Sequence, residues 1–268
     1  NKNINFYHND ISNDLFNLSN KRVLITGASK GMGKAMATAL LGYGAHVVIS
    51  SRKQDQLEAC AEELKVSTGN DKVYPYAFNM SNENEMSSLT DFAFDRLGYI
   101  DVIVGNAGVN PYYGSIEEIS SEAYQKIMNT NVYANLKLVN LVSPSMRKRG
   151  NGSIIFTSSI GAFKPSTGLG AYNMSKLSLL GLTRNLAAEL GPFGIRVNSI
   201  CPGLIKTDFA KAIWDSPEGE KRAKSDIPLG RLGETDDFKG IAVYLASDAS
   251  SYMTGQALTI CGGSNMWT

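Results

Sequence analysis

The stretch TGASKGMG, Thr26 to Gly33, lies between a short apolar run and a helical pattern. The run before it reads RVLIT (22–26), and the pattern after it reads KAMATALLGYG (34–44). Its three glycines allow the backbone to approach a pyrophosphate closely, and a helix that begins here directs free N–H groups at an anion. A glycine-rich turn alone is weak evidence, and a plain tight turn is the alternative. Its position between a strand and a helix favours a dinucleotide-binding turn.

Apolar runs and helical patterns alternate along the rest of the chain. The runs are continuous, which indicates strands buried on both faces and therefore a parallel sheet covered by helices. We predict an α/β fold: a single-domain Rossmann fold whose doubly wound, seven-stranded parallel sheet carries helices on both faces. A continuous helix is expected over 122–146. The predicted strands are 22–26, 46–50, 73–78, 101–105, 152–158, 195–200 and 257–261.

Composition excludes several classes of protein. Among 268 residues, 43% are hydrophobic and 19% charged, and the formal net charge is +1, which is typical of a soluble globular protein and not of a nucleic-acid-binding protein. No apolar run is long enough to span a membrane, and the polar segment 1–20 lacks a signal-peptide core. The three cysteines are far apart and the two histidines isolated, so we expect no metal site and a cytoplasmic location. The domain is expected over 21–268.

The end of the second strand distinguishes the two nicotinamide cofactors. Enzymes that prefer NAD place a carboxylate there to bind the ribose 2′-hydroxyl, and SSRKQ (50–54) has none. Arg52 can instead bind a 2′-phosphate with its guanidinium fork, and Ser51 can donate a hydrogen bond. Lys30 in the glycine turn can add a second cation. We therefore predict NADP(H), with ordinary surface charge as the alternative role of Arg52 and Lys30.

Two tyrosines in the chain precede a lysine by four residues. GAYNMSK contains Tyr172 and Lys176, and YANLK contains Tyr133 and Lys137. Four residues are about one helical turn, so each pair shares a helix face. A cation at ~4 Å can lower the pKa of a phenol by about three units at an effective dielectric constant of about 20. Either spacing thus suits a proton-transferring tyrosine, and the surroundings must distinguish them.

A serine thirteen residues earlier accompanies each tyrosine. Between Ser159 and Tyr172 the chain is rich in Gly and Pro and must loop, so the two hydroxyls can meet at the sheet edge where ligands bind. Ser120 or Ser121 instead reads as the N-cap of a helix, which would separate Ser120 from Tyr133 by roughly 20 Å. We therefore predict that Ser159 and Tyr172 form the reactive pair.

The motifs together resemble the classical short-chain dehydrogenase/reductase family. TGxxxGxG (26–33), NAG (106–108), Ser159, YxxxK (172–176) and PGLIKT (202–207) occur in the family's order, and the similarity extends over about residues 20–265. The pattern is most similar to the branch of NADP-dependent carbonyl and retinal reductases. The resemblance implies a Rossmann fold and a homotetramer or, less often, a homodimer.

The resemblance also implies roles for single residues. Tyr172 would be the general acid/base, Ser159 would orient the carbonyl, and Lys176 would lower the pKa of the tyrosine and hold the nicotinamide ribose. Asn131 corresponds to the asparagine that supports a water relay to the lysine. Asn106 would line the adenosine side. The predicted cofactor-binding residues are Gly27, Ser29, Lys30, Gly31, Met32, Gly33, Ser51, Arg52, Asn79, Met80, Asn106, Ala107, Gly108, Tyr172, Lys176, Pro202, Gly203, Ile205 and Thr207.

Two positions depart from the family pattern. The family commonly reads NNAG where this chain has Gly105 as the first residue. It commonly has an aspartate after the third strand, where this chain has Asn79. Both departures concern the adenine pocket and not the reacting groups.

The variable segment after PGLIKT is expected to bind the substrate. A lid over about 204–230 would place Phe209, Ile213 and Trp214 above the nicotinamide, and the alternative is a helix that packs on the core. The segment NPYY (110–113) would form the opposite wall. An apolar, aromatic pocket favours a hydrophobic ketone, aldehyde or secondary alcohol as the substrate.

Two other functions remain as alternatives. A 3-oxoacyl-thioester reductase would need basic residues at the pocket mouth for an acyl-carrier or CoA phosphate; the candidates are Arg147, Lys148, Arg149 and Lys164. A non-catalytic NADP-binding sensor would tolerate loss of the tyrosine or the lysine, whereas all four catalytic positions are filled here.

Overall fold

Parallel strands dominate the centre of the molecule. The computed structural model describes residues 15–80, 82, 85–210 and 214–266. These described residues form a sheet of seven parallel strands in the order β3-β2-β1-β4-β5-β6-β7. The predicted fold is confirmed, and every strand begins and ends within two residues of its predicted bounds. The strands are β1 Arg22–Thr26, β2 His46–Ser51, β3 Val73–Ala77, β4 Val102–Gly105, β5 Gly152–Thr157, β6 Ile195–Pro202 and β7 Ala257–Ile260.

Helices connect successive strands, and one of them differs from the prediction. The helix expected over 122–146 is interrupted by a π-helical turn at Asn129–Tyr133, in which the Ala134 N–H bonds to the Asn129 carbonyl. Such a turn often marks a functional site. The α-helices are α1 Gly31–Gly42, α2 Gln54–Thr68, α3 Met86–Leu97, α4 Ser121–Met128, α5 Ala134–Arg149, α6 Gly170–Leu190, α7 Pro217–Ser225 and α8 Lys239–Ala246.

The core lies on both faces of the sheet, as the continuous apolar runs predict. Val23 and Ile25 of β1 point to one face, where α1, α2 and α8 cover them. Leu24 points to the other face, which α3, α5 and α6 cover. Among the described residues, no helix is both long and apolar enough to cross a bilayer.

The order of the sheet reverses beside β1. β1 pairs with β2 on one side and with β4 on the other. Parallel strands direct their carboxyl ends to one edge, so the segments that follow β1, β4, β5 and β6 meet there. This switch point is where open α/β sheets bind ligands. Those segments carry the glycine turn, NAG (106–108), Ser159, YxxxK (172–176) and PGLIKT (202–207).

A buried ion pair stabilises the opposite edge. Arg149 donates to Asp101 at 2.7 Å and to the Ile100 carbonyl at 2.6 Å. The Asp101 side chain is only 8% exposed, and its other oxygen accepts from the Arg22 N–H at 2.9 Å. Arg149 therefore joins the end of α5 to the loop before β4.

We expect Asp101→Asn to lower the free energy of unfolding by about 2 kcal/mol, because the Arg149 guanidinium keeps its burial and loses its counter-charge. Urea denaturation followed by circular dichroism measures the loss. Asp248→Asn is the matched control: Asp248 pairs with Lys21 at 3.0 Å, but its side chain is 74% exposed, so we expect a loss below about 1 kcal/mol. Equal losses would contradict the assignment.

Candidate active site

One cleft at the carboxyl edge contains all the residues that the sequence predicts for cofactor binding. Its volume is about 1810 Å³, well above the 300–1,000 Å³ that is typical of a pocket for one small molecule. The space suits an extended dinucleotide with a substrate beside it. Ser159, Tyr172 and Lys176 also line the cleft, whereas Asn131 lies behind its wall.

The glycine turn fits a dinucleotide because its backbone lies open to the cleft. At Gly33 an added Cβ would lie 2.3 Å from the Gly27 carbonyl oxygen, so no side chain fits there. Gly31 has φ +62°, which disfavours other residues. A Cβ at Gly31 would meet only Thr207 within 4 Å, its Cγ2 at 3.8 Å. The space between the turn and the segment after β6 is thus a cradle that a side chain would fill.

The first turn of α1 adds an electrostatic fit for phosphate. No side chain caps this helix, and its first turn contains no acidic residue. The N–H groups of that turn and the positive end of the dipole therefore face the cleft with no acidic side chain in the turn itself. The cleft residues thus fit the predicted cofactor at its phosphates.

Asn106 fixes the turn to the neighbouring strands. Its side-chain N–H group donates to the carbonyl oxygens of Thr26 and Gly27, at 3.2 and 3.0 Å. Its Oδ1 accepts from the Thr157 hydroxyl at 3.2 Å. Asn106 lines the cleft as predicted, and it also joins the ends of β1, β4 and β5.

The cations predicted for a 2′-phosphate have different surroundings. Arg52 is exposed at the end of β2 and makes no hydrogen bond or ion pair with the described residues. Lys30 instead pairs with Asp208 at 2.6 Å, with both side chains more than 70% exposed. Lys30 is predicted to be a second phosphate ligand. The Asp208 carboxylate, which the chain after β6 brings across the cleft, would compete with a phosphate for it.

Ser159 and Tyr172 come together as the looped connection predicts. Ser159 follows β5, and its Oγ accepts from the Gly161 N–H at 3.0 Å. Tyr172 lies in the first turn of α6, and the Ser159 side chain interacts with its hydroxyl. Burial raises the pKa of Tyr172 to about 12, and the contact with Ser159 lowers it in part. The phenol is therefore protonated at neutral pH.

Lys176 lies one turn further along α6 and is 3% exposed. Its Nζ donates to the Thr157 carbonyl at 2.8 Å and lies 5.4 Å from the centre of the Tyr172 ring. Burial lowers the pKa of Lys176 to about 8. The predicted fall in the pKa of Tyr172 is wrong for this structure, because burial outweighs any effect of the ammonium group.

Asn131 lies in the π-helical turn and is completely buried. Its Oδ1 accepts from the Val109 N–H at 2.8 Å, and its Nδ2 donates to the Val109 carbonyl and the Ser175 hydroxyl, both at 3.0 Å. Ser175 in turn donates to the Tyr172 carbonyl at 2.7 Å. Asn131 thus holds the cleft wall and the start of α6 together.

The second tyrosine lies elsewhere. Ser120 caps α4 by accepting from the Ala123 N–H at 3.2 Å, as the sequence predicts. Tyr133 is 45% exposed and does not line the cleft. Helix α4 and the π-helical turn therefore separate Tyr133 from Ser120.

The predicted lid is brought to the cleft in part. The Phe209 ring lies 5.7 Å from the Tyr172 ring, and Asn110 and Tyr113 also line the cleft. Trp214 does not line the described part of the cleft, and Ile213 lies outside the described residues.

Sequence reasoning missed two contributors. Thr157 holds Lys176 through its backbone carbonyl, and no side-chain pattern signals such a role. Asn135 donates to the Asn131 carbonyl at 2.8 Å; its spacing of one helical turn from Asn131 was the available signal.

Comparisons with known proteins agree with this geometry. The family model described as enoyl-(acyl carrier protein) reductase matches residues 27–265. The dehydrogenase/reductase SDR family member 4 of Caenorhabditis elegans is 42% identical over 246 residues, which cover 91% of this chain and 94% of that protein.

Solved structures show the same architecture. A 7α-hydroxysteroid dehydrogenase complexed with NADH and 7-oxo glycochenodeoxycholic acid is 34% identical with a TM-score of 0.89, covering 94% of this chain and 96% of that one. A gluconate 5-dehydrogenase from Burkholderia cenocepacia, in complex with NADP and tartrate, is 27% identical with a TM-score of 0.88, covering 94% and 98%.

We expect Lys176→Met to change how stability depends on pH. The unfolded chain holds the lysine proton up to about pH 10.5, whereas the folded chain releases it near pH 8. The stability of the wild type should therefore rise relative to that of the variant between these values, by about 3 kcal/mol. Urea denaturation at pH 7, 9 and 10.5 measures the difference. A difference that stays constant with pH would contradict the lowering of the Lys176 pKa by burial.

Proposed function

The chain belongs to the short-chain dehydrogenase/reductase family, and we propose that it is an NADP(H)-dependent oxidoreductase that interconverts carbonyl compounds and secondary alcohols. The observation that carries this proposal is the meeting of Ser159, Tyr172 and Lys176 at one end of a cleft. The phosphate-fitting glycine turn forms the other end. A reacting carbonyl and a dinucleotide can thus be bound side by side.

The cofactor would lie along the carboxyl edge of the sheet. The turn over 27–33 would bind its pyrophosphate, Asn79, Met80 and Asn106 would line the adenosine side, and Ile205 and Thr207 would line the nicotinamide side. When bound, the nicotinamide supplies or accepts a hydride.

The side chains of the protein would orient the substrate oxygen and transfer its proton. In the reductive direction, Ser159 donates a hydrogen bond to the carbonyl oxygen and orients it. Tyr172 donates its phenolic proton to the same oxygen, and its raised pKa keeps that proton in place at neutral pH. Lys176, held by the Thr157 carbonyl, would stabilise the phenolate as it forms. Oxidation would use the reverse order.

Charge at the end of β2 supports NADP(H) over NAD(H). The exposed Arg52 guanidinium has no carboxylate partner among the described residues, so it is available to a 2′-phosphate. Ser51, the last residue of β2, directly precedes Arg52. Lys30, already paired with Asp208, would contribute less than the sequence predicts.

Aromatic walls support a hydrophobic substrate. Phe209 packs against Tyr172, and the apolar side chains of Tyr113 and Leu169 also line the cleft. A relative with the same fold holds a hydroxysteroid-type ketone, 7-oxo glycochenodeoxycholic acid. A ketone or aldehyde with an apolar body is therefore the substrate class that we favour.

Reduction of a 3-oxoacyl thioester is the second candidate. Lys164 lines the cleft, and the matching family model is described as an enoyl-(acyl carrier protein) reductase. The other basic candidates do not support it. Arg149 pairs with Asp101, and Arg147 stacks on Phe193 at 4.8 Å, both at the far edge of the sheet.

Exposed apolar side chains support assembly of identical subunits. Met174 and Leu177, three residues apart on α6, are 45% and 53% exposed, and Tyr133 at the start of α5 is 45% exposed. Helix faces of this kind are often covered in oligomers. A homotetramer or a homodimer is the assembly that we propose.

We expect Tyr172→Phe to lower turnover at least a thousandfold, because the phenol is the proton donor of the proposed reaction. Consumption of NADPH with ketones, aldehydes, quinones and a 3-oxoacyl thioester measures it. Cofactor affinity should stay within about threefold of the wild type. Tyr133→Phe, which alters the other Y-x-x-x-K, should retain full activity. Equal activity of the two variants would contradict the assignment, and full function of Tyr172→Phe would favour a non-catalytic sensor.

We expect Arg52→Gln to raise KM for NADPH by about ten- to hundredfold, because one charge-assisted hydrogen bond contributes about 1.5–3 kcal/mol. KM for NADH should change less than about twofold, since NADH has no 2′-phosphate. Steady-state kinetics with both cofactors measure the two values. Arg184→Gln removes an exposed charge from α6 and is the control. An equal rise for both cofactors would refute the NADP(H) assignment.

A further inference from the structure

An asparagine that the reaction does not use lies behind the candidate site. Asn135, in the first turn of α5, is 1% exposed. Its Nδ2 donates to the Asn131 carbonyl at 2.8 Å, but its Oδ1 is buried without a hydrogen-bond partner among the described residues. An unsatisfied buried polar atom costs about 1–3 kcal/mol. A leucine or an alanine would avoid that cost, so stability does not explain Asn135.

The amide occupies space that a neighbouring strand leaves free. A Cβ at Gly105, the last residue of β4, would lie 2.2 Å from Asn135 Oδ1 and 3.0 Å from Phe156 Cδ1. Positions 105 and 135 therefore share one volume, and only one of them can carry a side chain into it. The departure at Gly105 noted in the sequence is thus the counterpart of Asn135.

The bond from Asn135 falls on the turn that carries Asn131. That turn is π-helical, so its carbonyls are not paired in the regular α-helical pattern. The Asn131 side chain bonds to Val109 and, through Ser175, to the backbone of Tyr172. Gly108 lies between Asn131 and Lys176: a Cβ added to it would be 3.4 Å from Asn131 Oδ1 and 3.3 Å from Lys176 Nζ. A shift of the turn would therefore reach both the tyrosine and the lysine.

We propose that Asn135 is a positioning residue of the active site, and that Gly105 provides the space for its amide. The side-chain N–H group fixes the Asn131 carbonyl and thereby the π-helical turn, on which the placement of Tyr172 and Lys176 depends. The inference rests on the proposed function for its kinetic consequence. Its structural consequence, a rigid turn at 129–133, does not depend on turnover.

The test separates the effect of the hydrogen bond from that of packing. Its variants remove the amide at position 135 and place either a methyl group or an amide at position 105. Asn135→Ala removes the donor and should lower kcat about ten- to hundredfold, with KM for NADPH within about twofold, because a misplacement of about 1 Å has such an effect. The double variant Gly105→Ala with Asn135→Ala refills part of the shared volume but supplies no hydrogen-bond donor, so its kcat should stay low. Gly105→Asn with Asn135→Ala returns an amide from the β4 side, and kcat should recover to within about threefold of the wild type.

Asn185→Ala is the matched control. Asn185 makes the same kind of bond, from its Nδ2 to the carbonyl four residues earlier, Gly181, at 2.9 Å, but on the exposed side of α6. This variant should retain the kcat of the wild type. An unchanged kcat in Asn135→Ala, or full recovery in the double alanine variant, would overturn the proposal.

Hydrogen exchange gives a readout that needs no turnover. Backbone amides over 129–133 should exchange at least tenfold faster in Asn135→Ala than in the wild type, and at an unchanged rate in Asn185→Ala. If the wild type reduces none of the carbonyls tested, the proposed function fails, and this measurement alone decides the positioning role. Equal exchange in all three proteins would overturn that role.

Discussion

The hydrogen bonds of Asn106 are the interaction on which the cleft depends. They join the turn after β1 to the ends of β4 and β5, at the point where the order of the sheet reverses. The backbone carbonyls of Thr26 and Gly27 are fixed by them, and an added Cβ at Gly33 would lie 2.7 Å from the same amide nitrogen. Asn106 therefore anchors three parts of the cleft at once: the open backbone of the glycine turn, the start of α1 and the segment that leaves β4. A half-buried amide can provide this anchor because its donor and its acceptor are both paired.

Burial determines the electrostatics around Tyr172 and Lys176. It favours the neutral form of both Tyr172 and Lys176, raising one pKa and lowering the other. Such opposed shifts in one cleft are typical of functional sites and reduce stability, because each group would be better solvated outside the fold. The Thr157 carbonyl and the Ser159 hydroxyl offset part of this cost, and both lie at the end of β5. The same strand end thus supplies a backbone acceptor for the cation and a hydroxyl for the phenol.

Weak contacts close the mouth of the cleft, in contrast to the buried network beneath it. The Lys30–Asp208 pair crosses from the glycine turn to the segment after β6, and its exposed side chains contribute little to stability. Phe209 covers Tyr172 on the same segment and is itself 58% exposed. Below them, Asn131, Ser175 and Asn135 are nearly inaccessible to solvent. Buried residues beneath the cleft and exposed residues at its mouth suit a site that must admit a substrate and then hold it in a fixed orientation.

The sequence by itself determined the sheet, the glycine turn and which of the two tyrosines lies beside the serine thirteen residues before it. These follow from periodicity, turn chemistry and helix length, which are properties of neighbouring residues. Only the tertiary structure decided that Asp208 pairs with Lys30, that the helix through Asn131 contains a π-helical turn, and that positions 105 and 135 share one volume. It also decided the direction of the Tyr172 pKa shift. Each of these depends on groups that are distant along the chain and on the solvent that packing removes, and no local pattern records which distant groups will meet.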